Sequence, residues 1–562
     1  VSTAPPSVLG WLWRFTLAFG VLNTLLTFEN RWPGFGVHVM PRLSFELCVG
    51  VALLLAWVAW RGALSARGAT VATLGFVVLV AVRYADVTAP AVLGRPVNLF
   101  WDGRHGAELL RLAAQSSSTE QLTLGTIALV LGTLLLFFTT RAAIALLARC
   151  LRWKPPRPWL LTAVTALALS FAAYAPDRRD TRWFFSLPLT PTLWHQAHLL
   201  AGAWWPAHRE AALGPGPAFD GDLSGLVGAQ SPADVLLVFA ESYGAVTFDH
   251  PDQATALAAA RAALDNAIHL SGRTVVTGRV TAPTFGGASW LSHAALLAGV
   301  DTSQPADHDL LLASQRPTLV SHFARHGYRT VGWMPGLKRP WPEGAFYGFE
   351  RLADDAGIGY RGPDFGYWRI PDQAAMALLH AQELGPPRSS AQPRFVFFPT
   401  TSTHAPFYPL APIAPDWSRL SGPDAYTQAQ VQSALAQPPS PQQTMARYID
   451  SLRYQHAWMA DFLQHHASPS LVMVVLGDHQ PPALVSGPKA SWDVPVHVIS
   501  DNRALLQRLL GSGFVPGLVP PPHALGPLHA LTPILLKAFE APSAHESTGV
   551  EHVSTSSASP GS

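Results

Sequence analysis

Five apolar runs crowd the first third of the sequence, at residues 8–28, 43–60, 69–87, 122–138 and 159–175. Each approaches the ~20 residues that a helix needs to cross a hydrocarbon core, where the backbone has only itself for a partner. A bundle of about five transmembrane helices is therefore expected over residues 1–176. Composition agrees, because 13% of the 562 residues are charged and 49% hydrophobic, with a mean hydropathy of +0.18, high for a wholly soluble chain. The third run is interrupted near its end by Arg83 and Asp86, so a buried core helix is the alternative there. On a helix those two side chains are expected to pair locally; guidance of a lipid headgroup is the other reading.

Basic residues set the orientation. Arg61 and Arg67 follow the second run, and Arg141, Arg149, Arg152, Lys154 and Arg157 follow the fourth. Both loops are expected on the cytoplasmic side. Mixed-sign loops follow the first and third runs, and "GRPVNLFWDG" (94–103) suits an interfacial loop. Arg14 lies inside the first run and no small-residue cleavage site follows, so that run reads as an anchor. An odd number of spans then exports the remainder: a multi-pass protein of the cell (inner) membrane with an extracytoplasmic, periplasmic domain. The net charge of +2 and the lack of a Lys/Arg-rich run or Cys/His finger spacing argue against a nucleic-acid partner. Two cysteines, Cys48 and Cys150, give no disulfide framework.

From Asp177 charged residues, His and Pro increase, and a soluble domain is expected over 177–542, ending in a disordered tail over 543–562. Strand-like runs occur at 234–242, 328–334, 394–400, 471–479 and 494–500, with helical patterns such as 252–270 and 444–463 between them. Apolar strands without alternation, separated by helices, predict an α/β fold with a mainly parallel sheet between helices.

In such sheets ligands gather beyond the carboxyl ends of the strands. Glu241 follows "VLLVFA", His404 follows "FVFFPTTST", and Asp478 and His479 follow "LVMVVLG". Each alone reads as a turn residue; two acids and two histidines past three such strands point to a shared metal site. In "TAPTFGGASWLSHAALLAGV" (281–300), Gly286 and Gly287 precede a helical run and place Ser289 at or near its start. Ser289 is then a helix N-cap, or a nucleophile beside free amides that bind a phosphate. A hydroxyl on a divalent cation loses its proton more readily and becomes competent to attack phosphorus.

The ordered stretches "FAESYG", "GGASW", "TSTHAPF" and "LGDHQPP" resemble the alkaline-phosphatase-like superfamily, and within it the branch of lipoteichoic acid synthase and the phosphoglycerol or phosphoethanolamine transferases. The resemblance spans about residues 232–540, and the preceding anchor also fits that branch. It implies that Glu241, Ser289, Asp478 and His479 hold one divalent ion, Mn²⁺ in the first instance with Mg²⁺ or Zn²⁺ as alternatives. It also implies that Ser289 is the catalytic nucleophile and that His404 contacts the substrate, orienting or protonating a departing oxygen. Ser289 stands where the closest enzymes carry Thr. "GLKRPWPEGAFYGF" (336–349) lies where the branch has its substrate tryptophan and arginine, so Lys338, Arg339 and Trp341 are candidate headgroup contacts, with surface packing as the alternative. Asp372 in "RIPDQ" resembles a recurring family Asp, or is a helix cap.

Sulfatases mature a Cys or Ser followed by x-Pro-x-Arg, which "SWLSH" lacks, so sulfate chemistry is disfavoured. No cysteine follows Cys150, unlike the exported domains of many lipid A phosphoethanolamine transferases, which favours phosphoglycerol transfer. The resemblance thus implies transfer of a headgroup from a membrane phospholipid, through a phospho-serine, to a hydroxyl of a cell-envelope glycan or lipid. The other readings are a phosphodiesterase or phosphatase that uses water, and a non-catalytic lipid-binding regulator on the same fold.

Overall fold

The computed structural model describes residues 7–31, 34–92, 97, 102–103, 118–174, 185–186, 189–194, 196–197, 213–227, 232–338, 341–385, 392–436 and 443–541. Most of the 94–103 loop, Arg339 and the 543–562 tail lie outside the described residues. The chain divides into two compact units, Val1–Trp205 and Pro206–Ser562.

Helices α1 (Val8–Thr24), α2 (Phe45–Arg61), α3 (Ala66–Val92), α4 (Thr119–Leu151) and α5 (Arg157–Tyr174) of the first unit occupy the five apolar runs. A short hairpin, β1 (Phe28–Asn30) against β2 (Val37–Val39), follows α1. Leu22, Val51, Leu55, Ile144, Leu147 and Leu151 form part of the unit's buried core. Among the described residues, two helices, α3 and α4, are long and apolar enough to cross a membrane, not five. α1 and α2 have 17 residues, roughly 25 Å at 1.5 Å per residue, short of a ~30 Å hydrocarbon core, while α5 has 18 but opens on Arg157 and Pro158, which lower its mean hydropathy. The interrupted third run thus forms one of the two qualifying helices. Within α3, Arg83 is fully buried, its Nε donates to the Phe28 carbonyl at 3.1 Å, and its guanidinium lies 3.8 Å from Asp86.

In the second unit an α/β sheet of eight strands has the order β10-β4-β9-β8-β3-β7-β5-β6. The strands are β3 (Asp234–Ala240), β4 (Thr274–Thr281), β5 (Arg329–Trp333), β6 (Arg351–Ala353), β7 (Arg394–Pro399), β8 (Leu471–Gly477), β9 (Asp493–Ser500) and β10 (Val515–Pro516). β8, β3, β7, β5 and β6 run parallel, while β9, β4 and β10 join antiparallel. The sheet is therefore mainly parallel, with an antiparallel margin that includes the expected strand at 494–500. β4, which leads to the Ser289 loop, was not anticipated, because polar Thr277 and Arg279 break its apolar run. Both are buried and partnered: Thr277 with His497 at 2.8 Å, and Arg279 in a two-pronged bond to Asp249 at 2.8 and 3.0 Å.

Helices cover both faces, as strands buried on two sides require. Leu236, Val238 and Ala240 of β3 face α6 (Pro251–Leu270) and the long helix Thr444–His465. Val235, Leu237 and Phe239 face the other layer, which includes α7 (Ser289–Ala298).

Candidate active site

β3 lies between the parallel strands β8 and β7, and its register sets Ala240 opposite Gly477 of β8 and Phe239 opposite Pro399 of β7. Glu241, the Asp478–His479 pair and the Thr400–His404 loop consequently leave the sheet side by side. Gly477 is needed for this closeness, since a Cβ there would lie 1.9 Å from the Tyr243 carbonyl oxygen. The three chain ends are cross-linked. Thr400 Oγ1 accepts from the Glu241 amide at 3.0 Å, and the Thr403 hydroxyl donates to the Glu241 carbonyl. Asp478 Oδ1 accepts from the amides of Ser242 (2.8 Å) and His479 (2.7 Å), and the Ser242 hydroxyl donates to Glu241 Oε1 at 2.9 Å.

Between β4 and α7 the backbone turns through positive φ at Gly286 (67°), Gly287 (146°) and Ala288 (62°). Helix α7 begins at Ser289, preceded by Ala288, which makes no side-chain cap. The Ser289 hydroxyl instead donates to Glu241 Oε2 at 3.2 Å and lies 3.2 Å from His479 Nε2. The cap reading of Ser289 gives way to one in which its oxygen faces a carboxylate and an imidazole. One carbonyl fixes both partners: Gln480 O accepts from the Gly286 amide at 3.1 Å and from His479 Nδ1 at 2.8 Å. With its proton on Nδ1, His479 turns the Nε2 lone pair inward, 3.5 Å from Glu241 Oε1 and 3.6 Å from Asp478 Oδ2.

One ligand atom each from Glu241, Asp478 and His479 lies within 4.8 Å of the others, a grouping able to hold a metal ion. Two buried carboxylates this close repel. Burial, followed by the charge of Glu241, pushes the Asp478 carboxyl up to about 6. A divalent cation answers that repulsion, and carboxylates with one imidazole suit Mn²⁺, Mg²⁺ or Zn²⁺.

His404 stands beside this group. Its ring stacks on Tyr367 at 4.7 Å and 12°, with Trp368 edge-on at 5.7 Å. Burial pushes its pKa down to about 4, and Nδ1 lies 2.6 Å from Ala405 O. At neutral pH the ring is uncharged, with its proton given to that carbonyl and Nε2 left as an acceptor. It can therefore orient a hydroxyl, whereas protonating a departing oxygen, as the ordinary histidine pKa suggested, does not suit this state. Lys338 Nζ donates to Tyr367 O at 3.3 Å and lies 5.5 Å from the Trp368 ring centre. Trp341 is placed differently, against Tyr347 at 5.7 Å and the apolar layer that contains α7.

Tyr367 and Trp368 were not singled out from the sequence; an aromatic pair five and four residues before Asp372 was the available signal. Asp372 itself caps no helix. It is fully buried and accepts from the amides of Thr401 (2.6 Å) and Ser402 (3.1 Å) and from the Thr401 hydroxyl (3.2 Å), which fixes the loop that carries His404.

Residues 233–498 match the sulfatase family model. A sulfatase-like domain thus occupies this part of the chain. No curated protein sequence matches the chain. Similar solved structures include a protein in the alkaline phosphatase superfamily from Vibrio parahaemolyticus, at 15% identity over 49% of this chain and 62% of that one, TM-score 0.33. The lipoteichoic acid synthase LtaP from Listeria monocytogenes aligns at 12% identity over 49% and 66%, TM-score 0.33. The Streptococcus pyogenes phosphoglycerol transferase GacH, solved with sn-glycerol-1-phosphate, aligns at 13% identity over 57% and 81%, TM-score 0.31. The alignment spans less than two thirds of each of the first two solved chains.

Proposed function

We propose that this chain is a membrane-anchored phosphotransferase. It moves a phosphoglycerol or phosphoethanolamine headgroup from a phospholipid to a hydroxyl of a cell-envelope glycan or lipid. In this reading the apolar helices of the first unit form a multi-pass anchor and the sulfatase-like domain works outside the cytoplasm, next to the donor. The observation that carries the proposal is the Ser289 hydroxyl, 3.2 Å from both Glu241 Oε2 and His479 Nε2.

Glu241, Asp478, His479 and the Ser289 oxygen would hold a divalent ion, Mn²⁺ or Mg²⁺ with Zn²⁺ as the alternative, which acidifies the hydroxyl and neutralises phosphoryl charge. Ser289 directs its proton towards Glu241 Oε2. Its oxygen bonds to phosphorus while the bond from phosphorus to the diacylglycerol oxygen breaks, and the proton ends on the departing diacylglycerol. An acceptor hydroxyl then takes the group from the phospho-serine and returns a proton to Ser289, while His404 contacts the headgroup. At the nucleophile, Ser289-Trp290-Leu291-Ser292-His293 lacks the Pro and Arg that sulfatase maturation uses, which supports phosphoryl over sulfuryl transfer.

The test is mass spectrometry of the full chain with Mn²⁺ and vesicles of phosphatidylglycerol or phosphatidylethanolamine. A headgroup-phosphate adduct on Ser289 is expected, and Ser289→Ala should lower diacylglycerol release on the order of a thousandfold or more. Turnover retained in Ser289→Ala would remove the nucleophile.

A further inference from the structure

We infer that Lys338, held over Tyr367 and Trp368, selects against a cationic headgroup and admits an uncharged polyol one. The inference rests on the transferase reading above and narrows its two donor classes to one, the phosphoglycerol type.

The two headgroups share a phosphate and differ in what lies beyond it: hydroxyls in one, an ammonium in the other. An ammonium is recognised by a carboxylate or by an aromatic face. Aromatic faces are present, since Tyr367 stacks on His404 at 4.7 Å and Trp368 meets it edge-on at 5.7 Å. They already have a cation, however. Lys338 Nζ lies 5.5 Å from the centre of Trp368 and 6.0 Å from that of Tyr367, and its bond to Tyr367 O at 3.3 Å keeps it there. A second ammonium at these faces would meet like charge.

The carboxylates of the same segment offer no replacement. Asp354 accepts from the Gly357 amide at 2.7 Å, and Asp355 and Asp364 bond Arg369 at 3.0 and 3.3 Å. Asp372 is spent on the Thr401 and Ser402 amides. Glu241 and Asp478 face the Ser289 and His479 group.

A glycerol fits the donors and acceptors that remain. Its hydroxyl oxygens can accept from Lys338 and its hydroxyl hydrogens can be given to His404 Nε2, while its carbon edge lies on the indole and phenol faces. An ammonium could still donate to His404 Nε2, but it offers Lys338 no lone pair and brings a second positive charge to the same faces.

The full chain in detergent with Mn²⁺ is titrated calorimetrically with sn-glycerol-1-phosphate and with phosphoethanolamine. The glycerol ester is expected to bind at least about tenfold more tightly. Lys338→Glu should bring the ratio to one or below, Lys338→Met should bring it towards one, and Lys338→Arg should keep it. Equal or reversed affinities in the natural protein, a ratio that ignores Lys338→Glu and Lys338→Met, or binding of neither ester would overturn the inference. Failure of the broader reading looks different. Selective binding without a Ser289 adduct would sink the transferase and leave charge selection standing, whereas equal adducts from phosphatidylglycerol and phosphatidylethanolamine would do the reverse.

Discussion

Asp372 holds the Thr401 amide at 2.6 Å, so a carboxylate on one helix dictates the path of the loop that ends in His404. The same group takes the Ser402 amide at 3.1 Å and returns its own amide to Ser402 Oγ at 3.0 Å. Removing it leaves buried donors without an acceptor, at a cost of about 1–3 kcal/mol each. Asp372→Ala is expected to lower the unfolding midpoint and to reduce turnover through His404, while Asp372→Asn, which keeps one acceptor oxygen, should lose less. Thermal unfolding and kinetics of the two variants check this; equal behaviour of both with the natural protein would show that the loop holds its own shape.

Gly477 tests the junction of β3 and β8. A Cβ at 1.9 Å from the Tyr243 carbonyl oxygen cannot be absorbed by a side-chain rotation, because the obstacle is backbone. Gly477→Ala should destabilise the domain by about 3 kcal/mol or more and abolish the Ser289 adduct, with soluble yield and circular dichroism as the measurements. A well-folded, active Gly477→Ala chain would mean that the strands can part without cost.

Metal binding should stabilise the folded chain. After chelation, returning Mn²⁺ at a hundred times its Kd is expected to add about 2.7 kcal/mol, and Asp478→Asn should lose most of that response. The effect should weaken as pH falls through about 6, where Asp478 takes up a proton that competes with the ion. Unfolding that ignores Mn²⁺, Mg²⁺ and Zn²⁺ alike would remove the metal centre.

Acid should destabilise the second unit before it reaches ordinary carboxylate pKa values. Burial pushes His293, His404 and His456 down to about 4 and His497 to about 3. Between those values and about 6.5 the unfolded chain binds more protons than the folded one, so stability rises with pH. It is complete above about 6.5 and falls towards pH 4, by about 1.4 kcal/mol per pH unit for each histidine in its window. Asp372 and Asp478, both raised to about 6 by burial, act in the opposite sense below that pH and offset part of the loss. Tryptophan fluorescence against temperature between pH 4 and 7 reads the slope, and His497→Gln should flatten it; a flat natural profile would mean that these rings are already solvated.

Glu241, Ser289, His404, Asp478 and His479 were legible because each follows an apolar strand or a glycine pair, signals that reside in a few adjacent letters. The parallel sheet was legible for the same reason. β4 was not, because its polar residues are satisfied by Asp249 and His497, partners that only tertiary structure supplies. Tyr367 and Trp368 escaped notice because aromatic residues are ordinary core material until a lysine and a histidine are seen on their faces. The apolar runs overstated the spans, since α1 ends at Thr24, short of its run, and α2 and α5 are only 17 and 18 residues long.

The Gln480 carbonyl, which receives both the Gly286 amide and the His479 ring, belongs to the main chain. No substitution at position 480 deletes that oxygen, so the distance from hydroxyl to imidazole is shielded from drift in a way that side-chain tethers are not. The ammonium of Lys338 and the ring of Trp368 meet as side chains, so one codon change at either leaves the main-chain clasp on His479 intact.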